Sequence, residues 1–292
     1  MIVKRFISVY KAGGLLGVLR AIVRRIRTPH ARSFPKCRQI VGGRTGIEIG
    51  GPSPIFAWGG LIPVYTVAGR IDNVNFAVRT IWQGAILEGN SFNFNSRKAP
   101  GQQFVEEGAD LSVIPSETYD FVLSSHMLEH TANPLRALAE WKRVLKPGGG
   151  MVLVVPARDA TFDHRRPLTP MSHLIEDFEA GIGEDDLTHL SEVIRCCDLS
   201  RDSEITDESM FCERAKQNHK LRSIHHHVFD TRLATNAVLR AEFELEAVEP
   251  LLPYHIIIVA RKPSGVRVPV YDENMLRMVL RKSPFPSDRE GL

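Results

Sequence analysis

The chain has 292 residues, 43% hydrophobic and 24% charged, an ordinary globular composition with enough apolar material for one large or two smaller cores. Four cysteines without a C-x-x-C pair argue against a zinc knuckle or a disulfide framework, so reduced thiols are expected. The net charge of +3 conceals an asymmetry: residues 1–47 hold 11 of the 37 Lys and Arg and no acid, leaving 26 basic against 34 acidic residues beyond them.

Residues 1–35 are basic and also apolar, with Ile2, Phe6, Leu15, Leu19, Ile22 and Ile26 among them, and read as a basic amphipathic helical arm. Such a segment suits the anionic inner face of a membrane through residues 1–30, which predicts a cytoplasmic protein with peripheral attachment. Packing over the rest of the chain, or in a dimer interface, is the equal alternative. Lys11, Arg20 and Gly13-Gly14 interrupt the apolar run, so a spanning helix is not expected. No small-residue cleavage site follows, so neither is a signal peptide. The charge has no aromatic platform beside it, and nucleic acid is not an expected partner.

Residues 36–262 read as one α/β domain. An apolar stretch runs into the glycine-rich turn Glu48-Ile49-Gly50-Gly51-Pro52, while a nicotinamide-type G-x-G-x-x-G is absent. Ile62 to Asp72 is predicted as a strand, with Pro63 to Val67 as its apolar part. Residues 73–102 are rich in Asn, Gly and Gln with weak periodicity. Gln103 to Gly108 reads as a further strand leading into Ala109-Asp110-Leu111. Tyr119 to Leu123 has the length and composition of a buried strand. Asn133-Pro134 opens a helix, as N-cap and first helical position, whose apolar face carries Leu135, Leu138, Trp141, Val144 and Leu145. Lys146-Pro147-Gly148-Gly149-Gly150 ends it, and Met151 to Val155 suits the centre of a parallel sheet. Residues 157–230 read as an insertion. Thr231 to Glu242 is predicted as a helix, and Phe243–Val248 and His255–Ala260 as a closing hairpin. The stretch 263–292 reads as a partly ordered tail around a short amphipathic piece, Asn274 to Leu280.

The polar cluster Ser124, Ser125, His126, Glu129 and His130 follows the strand that begins at Tyr119, and open α/β sheets bind ligands beyond the carboxyl ends of their strands. From Tyr119 to Pro156 the chain resembles class I S-adenosylmethionine-dependent methyltransferases of the methyltransferase-11-like group, with their strand, H-x-x-E-H, helix, L-K-P-G-G, strand pattern. The resemblance implies a doubly wound, mostly parallel, seven-stranded Rossmann-like sheet and S-adenosylmethionine as cofactor. It implies that Glu48, Gly50 and Gly51 form the cofactor loop, Glu48 either ordering that loop or meeting the cofactor's amino group. Ser-Pro stands where a third glycine is usual, so an irregular helix entry is expected. By the same logic Asp72 would accept from the ribose hydroxyls and Asp110 from the adenine amine, with Leu111 and Ser125 also lining the cofactor.

The insertion carries Asp163-His164-Arg165-Arg166-Pro167-Leu168-Thr169, Asp185-Asp186-Leu187-Thr188-His189 and His225-His226-His227. These segments resemble the D-x-x-R-P-x-T and later H-x-H of methyltransferases found with bacterial surface-glycan synthesis. That likeness implies a substrate lid and O-methylation of a sugar hydroxyl on a glycan or glycolipid. A small metabolite or nucleic-acid acceptor, or a silent methyltransferase-like scaffold at a membrane, are the alternatives. A neutral imidazole is the natural base for a hydroxyl near neutral pH. His126 is the first candidate, with His189 and His227 reaching from the lid, and Asp163, Arg166 and His225 are expected at the substrate. If residues 225–229 are extended, His225 and His227 share one face. Arg166 would orient an acidic group of the substrate, or pair with Asp185. Asp163 with His189, His225 and His227 offers an alternative divalent-metal set. No two of the metal-set histidines 189, 225 and 227 stand at i, i+4 helical spacing, so a metal-free base is expected.

Overall fold

The computed structural model describes residues 29–201, 207–265 and 272–290, so most of the predicted basic arm lies outside the described residues. A short helix, α1 (Phe34–Val41), leads into β1 (Thr45–Ile49) and β2 (Arg70–Asn75). A small hairpin, β3 (Arg79–Thr80) and β4 (Gly84–Ala85), precedes β5 (Gly89–Phe92) and β6 (Gly101–Val105). Then come β7 (Tyr119–Ser125), α2 (Pro134–Val144) and β8 (Leu145–Pro156). The insertion holds α3 (Met171–Ala180), α4 (Leu190–Cys196), α5 (Glu208–Lys216) and α6 (Asn218–Leu221). After α7 (Thr231–Arg240), β9 (Glu244–Leu251) and β10 (His255–Arg261) close the sheet, and α8 (Glu273–Arg281) follows.

The sheet order is β5-β6-β2-β1-β7-β8-β10-β9. Strands β6, β2, β1, β7 and β8 run parallel, while β10 is antiparallel to β8 and β9 to β10. This is the expected Rossmann-like arrangement with eight strands instead of seven. The extra strand is β5, antiparallel to β6 at the edge, formed from the Asn- and Gly-rich stretch that gave no periodic signal. The pleat of β8 sends Met151, Leu153 and Val155 into one core layer and Val152 and Val154 into the other. The first layer is covered by α2 and α7 through Leu138, Trp141, Ala234 and Val238. The second is covered by α1 through Cys37, Ile40 and Val41. Glu249 on β9 accepts from the backbone N–H groups of Arg32 and Ser33 (3.0 and 2.8 Å), seating the amino end of α1.

Three expectations are corrected. Val64–Thr66 forms a 3₁₀ turn, and the second strand begins only at Arg70. Tyr65 is drawn inward there, because its hydroxyl donates to the buried Glu48. The irregular entry after β1 goes further than Ser53-Pro54 suggested, as no α-helix stands between β1 and β2. Within the predicted tail, the expected amphipathic piece is α8, and the described residues after it pack on the domain. Asp288 is buried and accepts from the Thr231 N–H (2.8 Å) and hydroxyl (2.6 Å) at the start of α7, and from the Ser283 hydroxyl (2.5 Å). Among the described residues no helix is long and apolar enough to cross a membrane.

Trp141 links the core to the sheet edge. Its ring is fully buried in the first layer, and Nε1 donates to the Gly108 carbonyl (2.8 Å) in the loop after β6. Trp141→Phe keeps an aromatic ring but strands that carbonyl and loses volume. Urea unfolding should show a loss of about 2–3 kcal/mol. An unchanged midpoint would mean that α2 does not hold the loop.

Candidate active site

At the carboxyl end of β1, Gly50 takes φ +85°, a left-handed conformation that glycine adopts freely. Glu48 is fully buried beneath the turn and accepts from the Ser53 N–H (3.0 Å) and the Tyr65 hydroxyl. It therefore orders the loop. Burial pushes its carboxyl up to about 7, against the pull of those donors. A side chain at Gly51 would collide with the Glu48 carboxyl. Asn73 Oδ1 accepts from Gly51 N (2.9 Å), and the amides of Asn73 and Asn75 donate to Gly51 O (3.1 and 3.0 Å). The two asparagines alternate with Val74 on β2, so both reach the same face of the sheet and clasp the loop from one side.

The acidic positions assigned by spacing fare differently. Asp72 lies within β2, opposite Ile47, and does not end it. It accepts from Arg70 Nε (2.8 Å), Gln102 N (2.8 Å) and the Tyr119 hydroxyl (2.9 Å). With β2 running on to Asn75, Asp72 does not lie at the strand end where a ribose would be met. Asp110 does follow the carboxyl end of β6. Its side chain is half-exposed, 3.3 Å from Arg136 Nη2, and accepts from Ser112 N (3.2 Å). Those contacts hold its carboxyl below the usual range, the Ser112 hydrogen bonds contributing most. Leu111 is a core residue, and its N–H goes to Glu140 Oε2 (2.9 Å). Ser125 ends β7 opposite Val154, nearly buried. Its neighbour Ser124 has a buried hydroxyl without a hydrogen-bond partner among the described residues.

Past β7 the chain turns sharply at His126, which takes φ +53°. His126 Nε2 lies 3.0 Å from His255 Nδ1 at the start of β10, and its Nδ1 lies 3.7 Å from Glu129 Oε1. Burial, with His255 and His225 nearby, lowers His126 to about 3. Glu129 is buried, and burial raises it to about 7 against the attraction of His225. Its Oε2 has no hydrogen-bond partner among the described residues.

The insertion meets this edge through one buried assembly. Arg166 is 2% exposed, and its guanidinium donates to Asp163 Oδ1 (3.2 Å), Glu192 Oε1 (2.7 Å) and the carbonyls of His225 (2.8 Å) and His226 (3.0 Å). Arg166 is thus occupied in holding the lid together. Neither acid it pairs with is Asp185. Asp163 Oδ2 lies 2.5 Å from His225 Nδ1. Burial alone would raise Asp163, but His225 and Arg166 outweigh it and hold the carboxyl below its ordinary value. The His225 ring stands 4.7 Å from that of His130, edge to face, so the lid's imidazole joins the strand-end cluster.

His189 and His227 do not join it. Residues 225–229 form no strand, because Glu129 O accepts from both His226 N (2.8 Å) and His227 N (3.4 Å) and bends the segment. His225 consequently faces Asp163 and His130, while His227 packs beside His173 and His189. The expected shared face of His225 and His227 is not formed, and the metal set drawn from Asp163, His189, His225 and His227 is divided between two clusters. Sequence reasoning gave no role to His255, and named Glu129 only as part of the cluster. For Glu129 the signal was its place within H-x-x-E-H.

Residues 87–153 match the family model described as a methyltransferase domain. The match to a methyltransferase domain is thus confined to this part of the chain. The cofactor is S-adenosylmethionine. A comparison with curated proteins finds no match. Similar solved structures include a S-adenosylmethionine-dependent methyltransferase from Methanosarcina mazei, 17% identical, covering 79% of this chain and 98% of its own, with a TM-score of 0.45. Another is an S-adenosylmethionine-dependent methyltransferase from Mesorhizobium loti, 14% identical, with coverages of 79% and 98% and a TM-score of 0.44.

The residues at the edge fit this cofactor. Gly50 and Gly108 have no side chains of their own, and the Met127 side chain fills the space beside both. The Met127 thioether is flexible and can repack beside a ligand, and the unpartnered Ser124 hydroxyl is buried at the end of the neighbouring strand.

The raised Glu48 carboxyl has a measurable consequence. A carboxylate whose folded value lies above its ordinary 4.5 contributes stability that is present at low pH and lost as pH rises through about 7. Glu48→Gln cannot ionise and can still accept from Tyr65. Between about pH 5 and about pH 8 the variant should gain on the wild type by about 2–3 kcal/mol in unfolding free energy. A difference that stays constant with pH would mean that Glu48 titrates normally.

Proposed function

We propose that the protein transfers the methyl group of S-adenosylmethionine to a hydroxyl oxygen of a glycan or glycolipid intermediate. The observation that carries the reading is the Asp163–His225 pair, brought by the lid to the same sheet edge as the glycine loop. The D-x-x-R-P-x-T and H-H-H segments pack on one another through Arg166, which gives a physical reason for two distant motifs to occur together.

The cofactor, when bound, supplies an electrophilic methyl on a sulfonium. Gly50, Gly51 and the residues ending β7 are the groups that would hold it. What remains for the protein is to orient the acceptor and take its proton. Asp163 Oδ2 stands 2.5 Å from His225 Nδ1, and a proton kept on Nδ1 beside that carboxylate would leave Nε2 as the basic nitrogen. The proton from the hydroxyl would pass to Nε2, and the oxygen would keep the electron pair that forms the new C–O bond as the methyl–sulfur bond breaks, its pair staying on the sulfur of the demethylated product. Asp163 stabilises the resulting imidazolium. His126 is less suited to the task, because a group lowered to about 3 is a weak base at neutral pH. It orients the edge through His255 and Glu129. Sugar acceptors on a lipid carrier would also give a basic segment at residues 1–30 a use, by keeping the enzyme at an anionic membrane face.

Purified enzyme with methyl-labelled S-adenosylmethionine and a lipid-linked oligosaccharide fraction should give a base-stable methyl ether on sugar. Label appearing only in small metabolites or nucleic acid would overturn the acceptor class. His225→Ala should lower turnover by about 10²–10⁴, with Asp163→Asn following it and cofactor binding by calorimetry retained. If His126→Ala proves the more damaging change, the base assignment passes to His126.

A further inference from the structure

A second cluster of ligand-type side chains lies within the insertion, separate from the Asp163–His225 pair. His173 and Asp177 stand four residues apart on α3 and so project from one face of the helix. His189 stands at the residue before α4, and His227 comes from the bent segment beyond α6. One nitrogen or oxygen from each of the four lies within 4.8 Å of the others. His173 Nε2 and His189 Nε2 are 3.2 Å apart, His173 Nε2 and Asp177 Oδ2 3.4 Å, and His227 Nε2 and Asp177 Oδ2 3.6 Å. Four ligands at tetrahedral zinc-type distances have edges of about 3.3 Å. The spacing matches that of atoms gathered around a common centre.

Burial gives an independent indication. Asp177 is 8% exposed, yet its Oδ2 has no hydrogen-bond partner among the described residues. Asp177 Oδ2 approaches two imidazoles without hydrogen-bonding to either, whereas a buried carboxylate oxygen is ordinarily satisfied. The 3.2 Å approach of two imidazole nitrogens is a hydrogen bond if one carries a proton. It is a coordination edge if neither does. His227 Nε2 also lies 3.0 Å from Ala132 O, which it can donate to only while protonated, so ligation requires its proton on Nδ1.

We propose that His173, Asp177, His189 and His227 hold one divalent transition-metal ion of the zinc class, which clasps the lid. Three imidazoles and one carboxylate suit zinc and its neighbours better than Mg²⁺ or Ca²⁺, which take mainly oxygen. Four protein ligands would close the coordination sphere, as in structural rather than catalytic sites. The ion would join α3, the start of α4 and the His227 segment into one unit. Asn133 Nδ2, at the cap of α2, donates to Asp177 O (2.9 Å) and ties that unit to the sheet domain. By fixing His227, the ion would also fix the backbone that carries His225.

The test is metal content and Co²⁺ spectroscopy on the full-length protein. Wild type dialysed against Zn²⁺ and then metal-free buffer should retain about one ion per chain, and Co²⁺ should give the intense visible bands of a four-coordinate site. Asp177→Asn, nearly isosteric, and His189→Ala should each weaken Zn²⁺ affinity by about 100-fold or more, with folding followed by circular dichroism. His219→Ala, at an exposed histidine outside the cluster, should retain the ion. Zn²⁺ should raise the melting temperature of wild type and not that of Asp177→Asn. A folded wild type that retains no Zn²⁺ and shows no Co²⁺ bands overturns the proposal. So does Asp177→Asn binding as tightly as wild type.

Discussion

The buried guanidinium of Arg166 is the interaction on which the arrangement of the site depends. A cation taken out of water is strongly destabilising unless it is paired and its donors are used. Asp163 and Glu192 provide the charge, and the His225 and His226 carbonyls take the remaining hydrogen bonds. Satisfying one side chain therefore fixes two distant parts of the insertion against each other. Asp163 is held beside His225, and the bend at His226 directs His227 to the opposite side. A lid with a neutral residue at this position would lose the reason for its path.

The sheet supplies the other half of the geometry. Parallel strands β1, β6 and β7 end on one edge, and their ends are short of side chains where Gly50 and Gly108 stand. The two asparagines of β2 hydrogen-bond Gly51, and the buried Glu48 accepts from Ser53 N just beyond it, so the shape of the turn is set before any ligand arrives. The lid then places a carboxylate–imidazole pair over an edge that is already formed. The two halves are joined by His130, whose Nδ1 lies 2.9 Å from Ile224 O, and by Glu129 O.

Elements with strong local signals were readable from the sequence. Asn133 does cap α2, its Oδ1 accepting from Arg136 N (3.0 Å), and Pro134 is the first helical residue. The apolar runs at Met151–Val155 and His255–Ala260 are central strands, as their composition implied. What misled were positions where a tertiary partner overrides the local pattern. Pro63 to Val67 looks like a strand until Glu48 claims the Tyr65 hydroxyl. Asp72 looks like a strand end until β2 is seen to run on to Asn75. The triple histidine looks extended, but Glu129 O bends it, and no pattern within residues 225–229 carries that information. The tail looked loose because its organising residue, Asp288, satisfies Thr231 more than fifty positions away. The helical i, i+4 pair at residues 173 and 177 escaped notice because it joins a histidine to an aspartate.

The central claim is that a cofactor lies over the Gly50-Gly51 turn, within reach of the lid's histidine. Calorimetry with S-adenosylhomocysteine, the demethylated product, tests it most directly. Wild type should bind one equivalent, and Gly50→Val, which places a branched side chain at a left-handed position facing Met127, should abolish the heat while the fold survives by circular dichroism. Absence of binding by folded wild type, or undiminished binding by Gly50→Val, would contradict the account.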